Sequence, residues 1–180
     1  MNLQRLVVDR LRNLRNECLS YLTPLRSLRT LRLSPAAGGG LDDFGVTLLA
    51  ELPGLRSLSI PHCSIDGFCF SPFSASRHLE TLCVYSCNIS DEHCTSIASI
   101  ASLRYLDIHR NPVANKGLVE LSVMVGLRVL DVSMCRVSKV ACLTLMTSLK
   151  KVDLTGTDVT ELDLDVLRRS SSSLEVVKLF

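Results

Sequence analysis

Tryptophan is absent from this 180-residue chain, and Phe and Tyr together make up only 4% of it. A core of this size filled mainly by large aromatic rings is excluded, so leucine and its aliphatic relatives have to fill it. Charge of one sign is lacking too, because 20 Lys and Arg against 18 Asp and Glu leave a formal +2. Such a balance gives no general basic footprint for a nucleic-acid duplex or an anionic membrane. No run approaches the roughly eighteen apolar residues that a membrane helix requires. The amino terminus interrupts Leu3, Leu6, Val7 and Val8 with Arg5, Asp9 and Arg10, so the continuous apolar stretch of a signal peptide is missing. Arg5, Arg10, Arg12 and Arg15 faintly suggest a mitochondrial presequence, and Asp9 and Glu17 argue against one.

What is abundant is aliphatic. Hydrophobic residues are 47% against 21% charged, and the mean hydropathy is +0.28. That composition excludes disorder, and the length suits one domain with a substantial core. Eight cysteines stand at 18, 63, 69, 83, 87, 94, 135 and 142. In a small secreted chain they would imply disulfides. This chain is too long and too apolar to need such staples, so packed, reduced thiols and a cytoplasmic location are expected. The tripeptide Asn88-Ile89-Ser90 is then an accident of composition.

Internal repetition is the main signal. The pattern Leu-x-x-Leu-x-Leu/Val/Ile recurs as Leu55, Leu58, Ile60; Leu79, Leu82, Val84; Leu103, Leu106, Ile108; and Leu127, Leu130, Val132, with 24 residues between successive starts. Leu149, Val152, Leu154 follow after 22 residues, and Leu174, Val177, Leu179 after 25. Upstream lie Leu28, Leu31, Leu33 and a degenerate unit Leu3, Leu6, Val8. Three residues beyond the third apolar position stand Cys63, Cys87, Asn111, Cys135 and Thr157, and two further on Ile65, Ile89, Val113, Val137 and Val159. A short strand would send the second and third apolar residues of each unit inward together. The Cys/Asn side chain would then satisfy backbone groups left unpaired by the following turn. Helical spacing in 90–100, 116–124 and 42–52 predicts an outer wall, capped at Ser90 or Asp91 in the first of these, and the 22-residue unit has room for about one turn.

The unit L-x-x-L-x-[VIL]-x-x-[CN]-x-[IV] resembles leucine-rich repeats. Its cysteines, with Ile-Ser/Asp following, are similar to the cysteine-containing subclass of F-box-type and protozoan, including trypanosomatid, proteins. The units are shorter than that subclass's usual length, the segment Pro35–Gly40 interrupts one of them, and no F-box sequence is visible. The resemblance implies an α/β leucine-rich repeat solenoid: a right-handed curved superhelix with parallel strands on the concave face and helices or turns on the convex face. The expected domain is 1–180, with seven or eight repeats of 22–27 residues. Because it starts on a strand and stops at Leu179-Phe180 within a repeat, the expectation is a segment of a longer protein, or an open end covered by another chain.

Other chemistry is weakly supported. Gly38-Gly39-Gly40 lacks the following Lys of a phosphate loop, and Asp42 and Asp43 would repel phosphate. His62-Cys63 and His93-Cys94 are adjacent pairs whose side chains the repeat sends apart, and no metal-ligand spacing accompanies them. No nucleophile motif occurs, and trios among His62, Tyr85, Asp107 and His109 rest only on the solenoid bringing them near one another. The expectation is no enzyme, no metal and no cofactor.

The position between the two inward residues should face the concave side. That row reads Val7, Arg32, Ser59, Cys83, Asp107, Asp131, Asp153, Lys178, with His62, Tyr85, Tyr105, His109, Arg110, Met134 and Lys151 beside it. Three aspartates on neighbouring strands would repel one another unless Lys151 neutralises Asp153. The expected partner-binding set is His62, Tyr85, Tyr105, Asp107, His109, Arg110, Asp131 and Asp153, facing a protein partner with a basic segment. Arg29, Arg56, Arg104, Arg128 and Lys150 form a solvated flank broken by Glu80 and Glu175. The functional expectation is a protein-interaction scaffold, with the substrate-receptor part of an F-box-type ubiquitin ligase or an assembly factor in an RNA–protein complex as alternatives. Nucleic acid as the partner and membrane insertion are not expected.

Overall fold

The computed structural model describes residues 2–12, 14–36, 41–65, 67–170 and 173–178. Eight strands follow one another along the chain: β1 (Arg5–Leu11), β2 (Thr30–Pro35), β3 (Ser57–Ser59), β4 (Thr81–Cys83), β5 (Tyr105–Asp107), β6 (Val129–Asp131), β7 (Lys151–Asp153) and β8 (Glu175–Val177). Each pairs in parallel with the next, so the sheet order is the sequence order. Between strands the chain returns over the outside through α1 (Asn16–Leu19), α2 (Asp43–Leu49), α3 (Cys94–Ala98), α4 (Asn115–Leu121) and α5 (Glu161–Ser170), or through 3₁₀ turns. A parallel pairing demands such a crossover, and repeating it in one direction coils the chain into a solenoid.

The register explains the repeat. Leu31, Leu58, Leu82, Leu106, Leu130 and Val152 pair in one row, and all six are fully buried. Two positions on, Leu33, Ile60, Val84, Ile108, Val132 and Leu154 form a second buried row. Alternation along each strand therefore leaves the intervening residue on the open concave side.

Next comes the ladder of turn residues. Asn111 Nδ2 donates to the carbonyls of Val84 (2.9 Å) and Ile108 (2.8 Å), while its Oδ1 accepts the N–H groups of Cys87 (2.9 Å) and Ile89 (3.0 Å). The Cys87 thiol donates to Ile60 O at 3.2 Å, and Cys135 repeats that contact on Ile108 O at 3.4 Å. Thr157 bonds only its own turn, through Leu154 O at 2.6 Å. Ile65, Ile89, Val113, Val137 and Val159 are buried behind them.

Two features differ from the sequence reading. In the last unit Val152 pairs with Val176 and Asp153 with Val177, so the inward row continues through the half-buried Val176 rather than Val177. Lys178 is therefore not in the concave row; its ammonium reaches the carbonyl of Val159, and Val177 takes the concave place. The pairing is 24 residues from the previous one, and the Lys151–Glu175 contact at 2.6 Å accompanies it. Leu179 and Phe180 lie outside the described residues, as does the Gly38–Gly40 loop. The second difference is in the wall. Phe70 and Phe73 are buried in the 3₁₀ segment Phe68–Ala75, their rings 6.2 Å apart, so two of the few aromatics do enter the core.

The outer elements start as expected. Asp42 Oδ1 caps α2 by accepting from Phe44 N at 2.9 Å. Ser90 caps the 3₁₀ turn Asp91–His93, which leads directly into α3. The 22-residue unit has only the 3₁₀ turn Ala141–Leu145. Among the described residues, no helix is long and apolar enough to cross a membrane.

Candidate binding site on the concave face

The concave residue of each strand from β3 to β7 is followed by the same turn. Three residues after it the backbone enters the left-handed region, at His62, Ser86, Arg110, Met134 and Gly156 (φ from 54° to 66°). Non-glycine side chains occupy four of these five places, although that conformation costs an L-residue roughly 1–2 kcal/mol. The turn is held from within the strand. Asp107, Asp131 and Asp153 each accept, through Oδ1, the N–H two residues on: His109 N at 3.1 Å, Ser133 N at 2.9 Å and Thr155 N at 2.9 Å. The aspartates are thus turn supports as well as surface charges. The recurring D-x-[HST] in three successive units was the sequence signal for that role.

The register lines Asp107 up with Asp131, and Asp131 with Asp153. Among the described residues, no Lys or Arg forms an ion pair with any of the three. Lys151 does not neutralise Asp153: its Nζ lies 2.6 Å from Glu175 Oε1, two positions along the neighbouring strand from Asp153's own partner. The acidic row keeps its like-charge cost.

Aromatic rings border this row. Tyr85 stacks on His109 with centroids 4.4 Å apart and 15° between planes, and His62 meets the other part of Tyr85 edge-on at 5.1 Å. His109 Nδ1 lies 2.6 Å from Asp107 Oδ1 and 4.0 Å from Asp131 Oδ2. Tyr105 is half-buried on the same strand as Asp107; burial first, then Asp107, Cys83, Asp131 and Asp153, push its hydroxyl up to about 12. The Tyr85 hydroxyl, and after it the Asp9 carboxylate, raise the Arg32 guanidinium above its ordinary range. Arg110 is exposed on its turn.

Six of the eight expected residues, Asp107, His109, Asp131, Tyr85, His62 and Asp153, therefore form a continuous strip across β3 to β7 and the turns that follow them. Tyr105 lies two residues from Asp107 on the concave side of β5, and Arg110 borders the strip at a turn. The two adjacent His–Cys pairs diverge. His62 is exposed while Cys63 is buried with its thiol toward Pro61 O at 3.7 Å. His93 is buried and its Nδ1 accepts the N–H of Ser90 at 3.0 Å, completing a capping box where Glu or Gln more commonly stands. Hydrogen bonding to Cys87, then burial, raises the Cys63 thiol far above its usual range, and burial first in each case lifts Cys83 to about 12 and Cys135 to about 11.

Part of the basic flank is engaged. Arg29 and Arg104 fold back onto backbone carbonyls, Arg104 Nη1 reaching Leu103 O at 2.8 Å, and Arg56 pairs with Glu80 at 3.1 Å.

The geometry meets independent likeness here. Residues 100–122 match the family model described as leucine-rich repeat. An internalin of Listeria monocytogenes superposes with TM-score 0.59 at 19% identity, covering 94% of this chain. The chain spans 54% of that internalin. Internalin C2 of the same bacterium gives TM-score 0.69 at 19% identity over 97% of this chain and 80% of its own. The fold is a leucine-rich repeat solenoid. Toll, in the structure of the Drosophila Toll–Spatzle complex, matches the solenoid with TM-score 0.64 at 17% identity over 77% of this chain and 18% of the Toll chain. Among curated proteins none matches the sequence.

Proposed function

We propose that this protein is a non-enzymatic interaction scaffold that binds a protein partner through a basic segment laid across its concave sheet. One observation carries the reading: three aspartates in register, without a Lys or Arg counter-ion among the described residues, beside the stacked Tyr85 and His109. A Lys or Arg side chain would relieve the repulsion and pack its stem on the rings, and aromatic residues are the usual anchors of interfaces. The open, parallel-stranded surface also suits an extended ligand, and leucine-rich repeat proteins characteristically bind proteins on it. The test is selection of displayed random peptides on the folded chain. Enrichment of Lys- and Arg-rich peptides that compete with one another, and lose binding when Tyr85→Ala is introduced, supports the site. Enrichment of acidic or purely apolar peptides, or indifference to Tyr85→Ala, removes it.

Cys63, Cys87 and Cys135 on the turn ladder are the reason to assign the chain to the cysteine-containing subclass and to a reducing, cytoplasmic setting. That assignment favours a second reading, the substrate-receptor portion of an F-box-type ubiquitin ligase. Co-purification of a ligase core with the full-length protein from its own cells supports that reading, and its absence there rejects it. The RNA-assembly reading has less support, because the basic row is broken by Glu80 and Glu175 and the formal charge of the chain is only +2.

A further inference from the structure

Asp107, His109 and Asp131 place one ligand atom each within 4.8 Å of the other two. Two come from β5 and its turn, and the third from β6, so the set is assembled by strand register and not by local spacing. We propose that these three side chains form a binding site for a first-row divalent transition ion such as Zn²⁺. Two carboxylates and an imidazole match the borderline and hard ligand preferences of Zn²⁺, Mn²⁺ or Fe²⁺ better than those of an all-oxygen Ca²⁺ or Mg²⁺ site.

The imidazole is built to be a ligand. Its ring is stacked on Tyr85, and its Nδ1 is hydrogen-bonded to Asp107 Oδ1 at 2.6 Å with Asp131 Oδ2 4.0 Å away. Asp131 is oriented as well: Ser133 N and Oγ both bond Oδ1, at 2.9 and 2.7 Å, which leaves Oδ2 turned toward His109. Such supporting bonds commonly position metal ligands. Asp107 is 8% exposed, so the ion would sit against the sheet rather than out in solvent. Bonds of about 2.0–2.2 Å put ligand atoms about 3 to 4.4 Å apart, so His109 Nδ1 and Asp107 Oδ1 must open from their 2.6 Å contact while the third ligand closes in, which side-chain rotations supply. The ion would replace the hydrogen bond between His109 Nδ1 and Asp107 Oδ1. Three protein ligands leave at least one coordination place for water or for a donor from a partner.

The electrostatics point the same way. Neither aspartate has a Lys or Arg partner among the described residues, so a dication satisfies a charge demand that the protein leaves open. This site shares residues with the proposed docking strip, but it does not depend on a partner.

Co²⁺, as a coloured stand-in, and then Zn²⁺ are titrated into the intact chain under reducing conditions without any peptide. One Co²⁺ per chain, with visible ligand-field absorption and no intense thiolate charge-transfer band, is the expected result, and Zn²⁺ should displace it. Asp131→Asn and His109→Gln should each weaken binding at least about tenfold while circular dichroism stays unchanged. Asp153→Asn, outside the set, should weaken binding clearly less than Asp131→Asn, since it removes a neighbouring charge but no ligand atom. Cys83→Ser should leave it intact. Absence of a Co²⁺ spectrum at millimolar metal overturns the proposal. So does equal weakening by Asp153→Asn and Asp131→Asn, which would mean diffuse acidic attraction, or loss on Cys83→Ser, which would give the metal to the thiol.

Discussion

The side-chain oxygen of Asn111 accepts the backbone N–H of Cys87, 24 positions earlier and one strand away, at 2.9 Å. With Ile89 N on the same oxygen and two carbonyls on its nitrogen, this amide ties two successive turns together. Removing it as Asn111→Ala strands buried donors and acceptors whose desolvation costs about 1–3 kcal/mol apiece. We expect a loss of about 3 kcal/mol or more in urea unfolding. Asn111→Cys should recover only part of it, because a thiol replaces the donor bonds but is a poor acceptor. Full recovery by Cys would show that the two N–H groups find other partners.

Cys87 is the converse case. It is fully buried, and its thiol lies within donating distance of Ile60 O at 3.2 Å and Tyr85 O at 3.3 Å while accepting from the Cys63 thiol. A hydroxyl can do the same, so Cys87→Ser should cost less than about 1.5 kcal/mol. Cys87→Leu should overpack the turn and cost about 1–3 kcal/mol. Thermal unfolding of the two variants side by side decides it, and a smaller loss for Leu than for Ser would contradict the packing argument.

The acidic row predicts a dissociation between folding and binding. Replacing Asp107, Asp131 and Asp153 together by Asn retains an oxygen for the N–H two residues on and removes the mutual repulsion. Stability should be equal or slightly higher. Association with a Lys-rich peptide from the selection should slow, and its dependence on salt should flatten. Equal rates for the two proteins at low salt would remove the electrostatic role from this face.

Alkali should unfold the chain earlier than a thiol-free relative of the same fold. Burial lifts Cys83 and Cys94 to about 12 and Cys135 to about 11, against an ordinary 9.0 in an unfolded chain. These raised values contribute stability that is whole below pH 9. Above it the unfolded chain releases protons that the folded chain retains, so stability falls as pH rises from 9 toward 11–12. Urea midpoints should decline across that window, and Cys135→Ser should lessen the slope. An unchanged slope would mean that Cys135 already ionises in the folded state.

The inward rows could be read from the sequence because burial on both sides of a strand residue leaves only aliphatic choices, and a fixed period repeats that constraint. The terminal unit was misread for the same reason. Leu174, Val177 and Leu179 satisfy the pattern, but pairing with β7 is decided by backbone register, and Val176 takes the inward place. At the candidate site the residue types were visible and their partners were not. Lys151 and Asp153 are near in sequence, but the strand sends the lysine toward Glu175. His109 and Asp131 are 22 residues apart and meet because β5 and β6 lie in register. His93 carries no spacing that marks it as a cap. Its role follows from the ring nitrogen reaching back to Ser90, a geometry more familiar from a carboxylate or amide.

Unit length changes along the chain while strand pairing does not. The long step before β3 still brings Arg32 opposite Ser59, and the short step before β7 still brings Asp131 opposite Asp153. The difference falls between the strands, where the long step carries α2 and the short one a single 3₁₀ turn. Concave side chains are therefore addressed by strand number rather than by residue count. Insertions in the wall can alter the bend of the coil without changing which residue stands beside which, so the recognition surface and the outer contour are free to vary separately.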